Sequence, residues 1–579
     1  MNILGLSCYY HDASSCLIRD GEVIAAAEEE RFTRKKHDTS FPIKSAEWCL
    51  QEAGINIDEV DYVAFYEKPL LKFERMMSQH TETFPKSYTT FLKTMPSWIN
   101  EKMRVQSTIR KRLKYRKDVF YIEHHLAHAA SSFFLSPFKE AAIMTIDGVG
   151  EWDTTTLGYG KDKDIRLVKA IEFPHSIGLL YSTITTLLGF KANNDEYKVM
   201  GLSPYGKPKY YDSFLKFMDV KDDGSYMLDM SYFEYHYNMR MPGRKMIDEL
   251  CEVRERGGRI TQEHKDIAAT LQKITEDVIF RMLNHLHDTL DTDNLCIAGG
   301  VALNSVANGK IMKNTPFKQM YIQSAAGDGG TSMGAAVYAY NGVLGEDRKT
   351  VLDHSYLGPG YSTGHVKSFL EGNDITYSEF ESDENLMKDT AGMIFEDKIV
   401  GWFQGRMEWG PRALGSRSIL ANPCNPDMKD IINARVKHRE GFRPFAPAVP
   451  IEDAVEYFEC DENLPISTDF MLLVYPVRED KRGLIPSVTH VDGSGRLQTV
   501  RKEKSPLYWG VIKEFEKLSG VPIIINTSFN VRGEPIVCSP YDAYRCMMGT
   551  GIDALVMDRF LIMKKDNMRD EWDSRRLYG

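Results

Sequence analysis

The chain begins with an apolar run, Asn2 to Ser7, a polar turn YYHDAS, a second apolar run, Ser15 to Arg19, the dipeptide Asp20-Gly21 and a third run, Glu22 to Ala27. Short apolar runs bounded by turn formers predict three strands, the last two joined as a hairpin. The pattern returns over residues 141–173, AAIMTIDGVGEWDTTTLGYGKDKDIRLVKAIEF, as strand, acidic glycine turn, Thr-rich strand, charged turn and strand. Two copies about 135 residues apart predict a duplicated α/β unit whose acidic turns, carrying Asp12 and Asp147, face each other across a cleft.

Helical periodicity is clearest in DIAATLQKITEDVIFRMLNHLHDTL, where positions 267, 271, 274, 278, 279, 282, 283 and 286 are apolar, so a long core-forming helix is expected. Two strand-to-helix turns rich in glycine follow, NLCIAGGVALNSVANGKI and QMYIQSAAGDGGTSMGAAVYAYN, each offering backbone N–H groups where a phosphate or ribose could approach. Residues 353–365, DHSYLGPGYSTGH, break the periodicity and are expected to link a first domain, 1–352, to a second, 366–579. In that second domain strands are predicted at KIVGWFQG and GVPIIINTSFNVRGEPIV, a helix at MKDIINARV, and loops at RMEWGPRALGSRSILANP and KHREGFRPFAPAVP.

Composition narrows the function classes. At 579 residues with 42% hydrophobic content the chain can fill about two to four cores. Its net charge of −10 argues against a general binder of nucleic acid or membrane surfaces. A local exception is KMRVQSTIRKRLKYRK, residues 102–117, with eight Lys or Arg in sixteen positions, read first as a solvated helix face. Nine dispersed cysteines without a CxxC suggest neither a disulfide framework nor a zinc ribbon. With no basic leader before an apolar core and no run of eighteen apolar residues, a cytoplasmic protein is expected.

Candidate chemistry concentrates in two places. EHHLAHAASSFFLSP sets His124 and His128 four apart on one helical face; with Asp147 and Asp328 they make two imidazoles and two carboxylates, suited to Fe(II), Mn(II) or Zn(II). Both aspartates precede glycine and could equally cap turns. The residue after His124 is His125, not the glutamate that a zinc peptidase uses as base, so hydrolysis of that type is disfavoured. In the second domain Arg406, Arg412, Arg417, Lys437, Arg439, Arg443, Arg496, Arg501 and Arg532 fall in loops beside Gly, Pro and Asn. Stiff backbone suits bidentate recognition of phosphate and carboxylate, and a pocket for two anionic substrates is expected.

HHLAHAAS, IDGVGEW, EYKVMGLSPYG, AGGVALN, GDGGTSMGAA, WGPRALGSRSILANP, FRPFAP and NTSFNVRGEPIV, in this order, resemble the O-carbamoyltransferase family of nodulation-factor, aminoglycoside and cephem biosynthesis. The resemblance spans nearly the whole chain. It implies an α/β and α+β architecture: a duplicated actin-like N-terminal domain related to the tRNA threonylcarbamoyl-transferase fold, then a YrdC-like C-terminal domain. It also implies the reaction, in which carbamoyl phosphate and ATP give carbamoyladenylate in the C-terminal domain and the N-terminal domain passes the carbamoyl group to a hydroxyl of a small-molecule acceptor.

Carried over residue by residue, the resemblance makes His124, His128, Asp147 and Asp328 the metal site, Fe(II) first among candidates, and sets Gly299, Gly300 and Asn304 near adenosine. His11 and Asp12 fall where the acceptor hydroxyl must lose its proton, His11 as base and Asp12 as its orienter, with the reverse assignment open. Lys437, Arg443, Arg412, Arg417, Arg496, Asn530 and Arg532 would hold carbamoyl phosphate and the nucleotide, Mg(II) accompanying ATP. Membrane and nucleic-acid partners are not expected; a homodimer is allowed. Two other readings stay open: a tRNA-modifying threonylcarbamoyladenosine synthase, and a non-catalytic nucleotide-binding regulator.

Overall fold

A computed structural model describes residues 1–568. Its contacts divide the chain into two units: Met1–Glu29 with His37–Leu352, and Glu30–Lys36 with the residues from Asp353 onward.

The first unit holds two five-stranded sheets of one topology. In the first, β1 (Asn2–Ser7) lies antiparallel to β2 (Ser14–Arg19), which pairs with β3 (Glu22–Glu28); on its other side β1 is parallel to β4 (Tyr62–Phe65), followed by β5 (Val119–Tyr121). The second repeats this with β6 (Glu140–Ile146), β7 (Asp153–Lys161) and β8 (Asp164–Glu172); a small hairpin, β9 (Met218–Val220) and β10 (Tyr226–Leu228), intervenes before β11 (Asn294–Ala298) and β12 (Gln319–Tyr321). The orders β3-β2-β1-β4-β5 and β8-β7-β6-β11-β12 are therefore the same path walked twice, as the repeated hydrophobic pattern predicts. The β2–β3 hairpin turns at Asp20 and Gly21, both with positive φ, the requirement of a tight two-residue turn.

Helix Gln262–Thr289 buries all eight of the apolar positions expected to face a core. Closer packing is set by small residues. A Cβ on Gly5 of β1 would stand 1.9 Å from the Ser332 carbonyl oxygen, and one on Gly334 would stand 1.9 Å from that of Ala127. Helix Thr331–Tyr338 therefore touches β1 on one side and helix His124–Phe133 on the other at backbone distance.

The second unit is built on a nine-stranded mixed sheet in which strands Arg417–Ala421, Ile524–Ser528, Ala446–Pro450 and Ser494–Val500 are successive neighbours. Strand periodicity divides its apolar residues between two cores: Phe403, Ile419, Ile523, Ile525 and Leu555 enter one, Trp402, Leu420, Ile524 and Val556 the other. Residues 353–362, expected as part of a linker, are instead fastened into this unit. Ser355 O accepts from Trp409 N at 2.6 Å, Gly358 N donates to Met407 O at 2.8 Å, and the Tyr356 hydroxyl meets Leu414 O and Ser505 Oγ. The short segment Glu30–Lys36 belongs here too, which the sequence pattern does not reveal: Arg31 donates to Gly410 O, and Arg34 to the carbonyls of Pro535 and Ile536.

Gly334→Ala should destabilise the protein by about 1–3 kcal/mol, because backbone must shift to admit the methyl group. Gly392→Ala, in helix Asp383–Phe395 where a Cβ meets nothing within 4 Å, should instead gain about 0.5–1 kcal/mol. Urea unfolding of the two variants checks the contrast, and equal midpoints would remove the close approach as a determinant.

Candidate active site

In the first unit the helix His124–Phe133 carries both candidate histidines inward, His124 1% and His128 0% exposed. Their Nε2 atoms are 3.1 Å apart. His124 Nε2 lies 3.0 Å from Asp147 Oδ2 and 3.7 Å from Asp328 Oδ1; His128 Nε2 lies 3.9 and 3.5 Å from the same oxygens. One donor atom from each of the four residues falls within 4.8 Å of every other. The Nδ1 atoms of both rings are buried without a hydrogen-bond partner among the described residues, so the polar contacts of both imidazoles lie on the Nε2 side. Asp147 is held well below the usual carboxylate range by His124 and His128 against the opposing effect of burial. The third histidine of the motif has a structural role: His125 Nδ1 bonds Thr145 Oγ1 at 2.6 Å and Nε2 bonds Asp153 O at 2.9 Å.

The two glycine-rich turns brace this set. Gly299 has φ of 100° and Gly300 N donates to Asp147 Oδ1 at 2.9 Å. Asn304, expected near adenosine, has its amide committed elsewhere: its Oδ1 caps helix Ser305–Asn314 at Ala307 N, and it exchanges amide hydrogen bonds with Gln272. Asn304 is thus a residue that shapes the turn. From the other side Ser14 Oγ donates to Gly329 O at 2.7 Å and Ser7 Oγ to Asp328 O at 3.3 Å.

Next to Asp328 lies the first turn. Asp12, with φ of 40°, accepts from His11 Nδ1 at 2.7 Å on one oxygen and from His37 Nδ1 at 2.7 Å on the other. His11 Nε2 also bonds the carbonyl of Asn193. Both ring nitrogens of His11 thus face acceptors, and Asp12 raises its pKa to about 10 against the desolvation that alone would lower it. Two donating nitrogens make an imidazolium, which cannot take a proton at neutral pH; the expectation that His11 is the base is corrected on that ground. His37, missed in the sequence because it sits in a charged run without apolar context, is the second imidazole on Asp12.

In the second unit the loop from Arg406 to Arg417 is pinned from within. Glu408 Oε1 accepts from Leu414 N, Ser416 N and Arg417 N at 2.8, 2.6 and 3.0 Å. Arg417 is 0% exposed, stacks 3.6 Å over Phe403, and donates to the carbonyls of Gln404, Ser416, Pro359 and Gly405. It is a loop brace, and its expected contact with nucleotide is corrected. Lys437 is 4% exposed, and its ammonium is spent on Ser528 and Asn530, including Asn530 Oδ1 at 3.0 Å. Asn530 completes that knot by donating to Glu534 O. Both hold the loop after strand Ile524–Ser528, and the Lys437 ammonium has no N–H left to present to a phosphate.

What remains is a group of guanidiniums. Arg496 is surrounded by Arg412, Arg439 and Arg443, which together with burial depress its pKa well below the ordinary value. Its Nε has no hydrogen-bond partner among the described residues. Glu440 is a carboxylate at the edge of the group, 3.6 Å from Arg443 and 3.7 Å from Arg532. Four guanidiniums gathered at one place, with the buried Nε of Arg496 unmet, make the site locally cationic.

The family model for the carbamoyltransferase N-terminus matches residues 2–337, and that for the carbamoyltransferase C-terminus matches residues 391–564. The chain belongs to the carbamoyltransferase family. It is 43% identical to the uncharacterized protein sll1178 of Synechocystis sp., covering 99% of this chain and 98% of that protein. It is 37% identical to the nodulation protein NolNO of Sinorhizobium fredii, over 97% of this chain and 80% of the relative. To the uncharacterized protein MJ1058 of Methanocaldococcus jannaschii it is 32% identical, over 98% and 100%. This carbamoyltransferase is thus an enzyme, which sets aside the non-catalytic regulator. No helix among the described residues is long and apolar enough to cross a membrane.

The His11–Asp12 pair has a signed effect on stability. A raised histidine pKa contributes stability that is complete below about pH 6.5 and is lost as pH rises toward about 10; a depressed aspartate pKa contributes stability that is complete above about pH 4. The unfolding free energy of wild type minus that of His11→Asn should therefore be largest between about pH 4 and 6.5 and shrink steadily above it. A flat difference from pH 6 to 10 would show that His11 is not held as an imidazolium.

Proposed function

We propose that the second unit of this carbamoyltransferase hydrolyses carbamoyl phosphate to carbamate and phosphate and joins the carbamate to the α-phosphate of ATP as carbamoyladenylate, releasing pyrophosphate, and that the first unit transfers the carbamoyl group to a hydroxyl of a small-molecule acceptor. The carrying observation is the arginine group around Arg496, whose mutual repulsion is relieved by ligands as anionic as ATP and carbamoyl phosphate. Arg412, Arg443 and Arg496 would grip phosphoryl oxygens, with Arg532 at the rim; Lys437 and Asn530 position the loop that carries Arg532. The sheet path repeated twice in the first unit supports the actin-like reading of that fold, and the nine-stranded sheet of the second is assigned to the YrdC-like type on the family resemblance.

His124, His128, Asp147 and Asp328 fit a divalent metal: two Nε2 atoms 3.1 Å apart cannot both carry a proton between them, and the four donors lie within 4.8 Å, the span of one coordination sphere. Such a mixed set suits Fe(II), which would supply Lewis acidity beside the carbamoyl donor. Among the described residues of the second unit no comparable cluster occurs, so Mg(II) is assigned to the nucleotide phosphates. The chain's own groups do the proton chemistry. Asp12 orients His37 through Nδ1, leaving that imidazole to take the proton of the acceptor hydroxyl as its oxygen bonds the carbamoyl carbon and AMP leaves. The His11 imidazolium donates hydrogen bonds and offsets negative charge developing nearby.

Arg443→Ala should lower carbamoyl-phosphate-dependent pyrophosphate release by about a hundredfold, the effect of losing a preorganised contact of about 2–4 kcal/mol. Undiminished release would misplace the activation site. Independently, elemental analysis of the purified protein should show one divalent metal per chain that is lost in His128→Ala; equal metal in both would remove the four-residue site from the hypothesis.

A further inference from the structure

Beside the transfer site, in the same unit, are cations that the chemistry above does not use. Helix Pro69–Glu82 buries Lys72, 3% exposed, and Arg75, 8% exposed. The ammoniums of Lys72 and Lys102 stand 3.5 and 3.9 Å from the centre of the Tyr10 ring, and Arg75 lies 4.7 Å over Phe173. Lys72 is paired with Glu67 at 2.7 Å. Arg75 is not: among the described residues its guanidinium has no hydrogen-bond acceptor and no ion-pair partner, and its Nε is shut off from solvent. Glu67 and Glu151 act on it only through space, and Glu151 is already occupied by the backbone N–H groups of Lys68 and His124.

A buried guanidinium without an acceptor costs a fold stability unless something completes it. Aromatic faces attract cations but give the buried Nε–H of Arg75 no acceptor. We propose that Arg75 and Lys102, with the Tyr10 ring between the lysines, form a subsite for an anionic substituent, a phosphate or a carboxylate, on the hydroxyl-bearing acceptor; this rests on the transfer reading given above. Three features agree. Tyr10, Lys102 and Phe173 are half-buried, so one side of the group is reachable from solvent. Tyr10 is the residue before His11, so an acceptor anchored there would bring its hydroxyl to the Asp12 turn. The other seven Lys and Arg of the basic stretch 102–117 are exposed, as a solvated face requires, and Lys102 alone turns inward. Its pKa is drawn down to about 8 by burial and by Lys72, which leaves it charged at neutral pH.

Calorimetric titration of the full chain with glucose 6-phosphate, glucuronate and glucose tests the proposal. Wild type should bind at least one of the two anions at least tenfold more tightly than glucose, and the preferred anion distinguishes phosphate from carboxylate. That affinity should fall at least tenfold in Arg75→Met and severalfold in Lys102→Ala, yet persist in Arg443→Ala, which separates it from the arginine group of the second unit. Because the charge is unpaired without ligand, Arg75→Met should also melt above wild type, the reverse of what a structural arginine would give. Unchanged anion affinity in Arg75→Met, no preference for anions over glucose, or a lowered melting temperature in that variant overturns the subsite. Pyrophosphate release measured on the same preparations keeps the two readings apart: release without Arg75-dependent binding sinks the subsite alone, whereas Arg75-dependent binding without release sinks the carbamoyladenylate activation step alone.

Discussion

The approach of two helices at Gly334 is the constraint on which the candidate metal set depends. Helix His124–Phe133 delivers both imidazoles, and helix Thr331–Tyr338 begins three residues after Asp328. A gap of 1.9 Å between a virtual Cβ and the Ala127 carbonyl means that no residue but glycine lets these helices lie so close. Separate them, and the distances of 3.5 to 3.9 Å that make one sphere of four donors are lost. The same helix lies on β1 through Gly5, and Ser14 ties the turn to β2, so the start of the chain is registered against the same point. A donor set assembled from residues 124, 128, 147 and 328 is therefore as rigid as the duplicated sheets that carry it.

A second theme is like charge gathered where solvent cannot screen it. Among the described residues Arg496 lies with three other arginines in the second unit with its Nε unmet, and Arg75 lies near Lys102 in the first with its Nε unmet, so burial and like charge act against the charged form of Arg496 and Lys102. In the proposed reaction a ligand offsets that charge. Charge held in place before the ligand arrives loses little entropy when it binds, which favours oriented recognition of phosphate or carboxylate over loose attraction. The residues that hold such charge in place are themselves saturated: Arg417 on four carbonyls, Lys437 on Ser528 and Asn530, Glu408 on three amides. Cations that look equivalent in a sequence thus divide into braces and ligand-facing groups according to whether the backbone has already satisfied them.

That division explains how much was legible beforehand. The repeat of strands was, because β1, β2 and β6 are buried along nearly their whole length and leave short continuous apolar runs, and the turns between strands need Asp and Gly. The long helix and the two imidazoles on one of its kind's faces were legible for the same reason, through periods of 3.6. Arg417 was misread, and the bonds of Asn304 to Gln272 and Ala307 went unseen, because nothing in a one-dimensional pattern says which carbonyls or amides a polar side chain will meet. Arg31 and Arg34 were passed over since a segment of seven residues has no period at all, and its place with residues 410 and 535 to 536 is set by tertiary bonds alone. Arg75 looks like an ordinary helical arginine until its burial is known.

The turn from Tyr9 to Asp12 gathers these threads. Its strained φ values, 79° at Tyr9 and 40° at Asp12, are tolerated because each residue has a fixed task. Tyr10 presents a ring between two ammoniums, His11 is locked as a cation between Asp12 and Asn193, and Asp12 divides its two oxygens between two imidazoles. A carboxylate with both oxygens so engaged is a poor base, and an imidazolium is none, which is why His37 is the base in the proposed transfer. In that proposal the base stands outside the conspicuous HDAS motif, on a residue about 25 positions later, so that the turn anchors the acceptor while a second imidazole on Asp12 meets its hydroxyl.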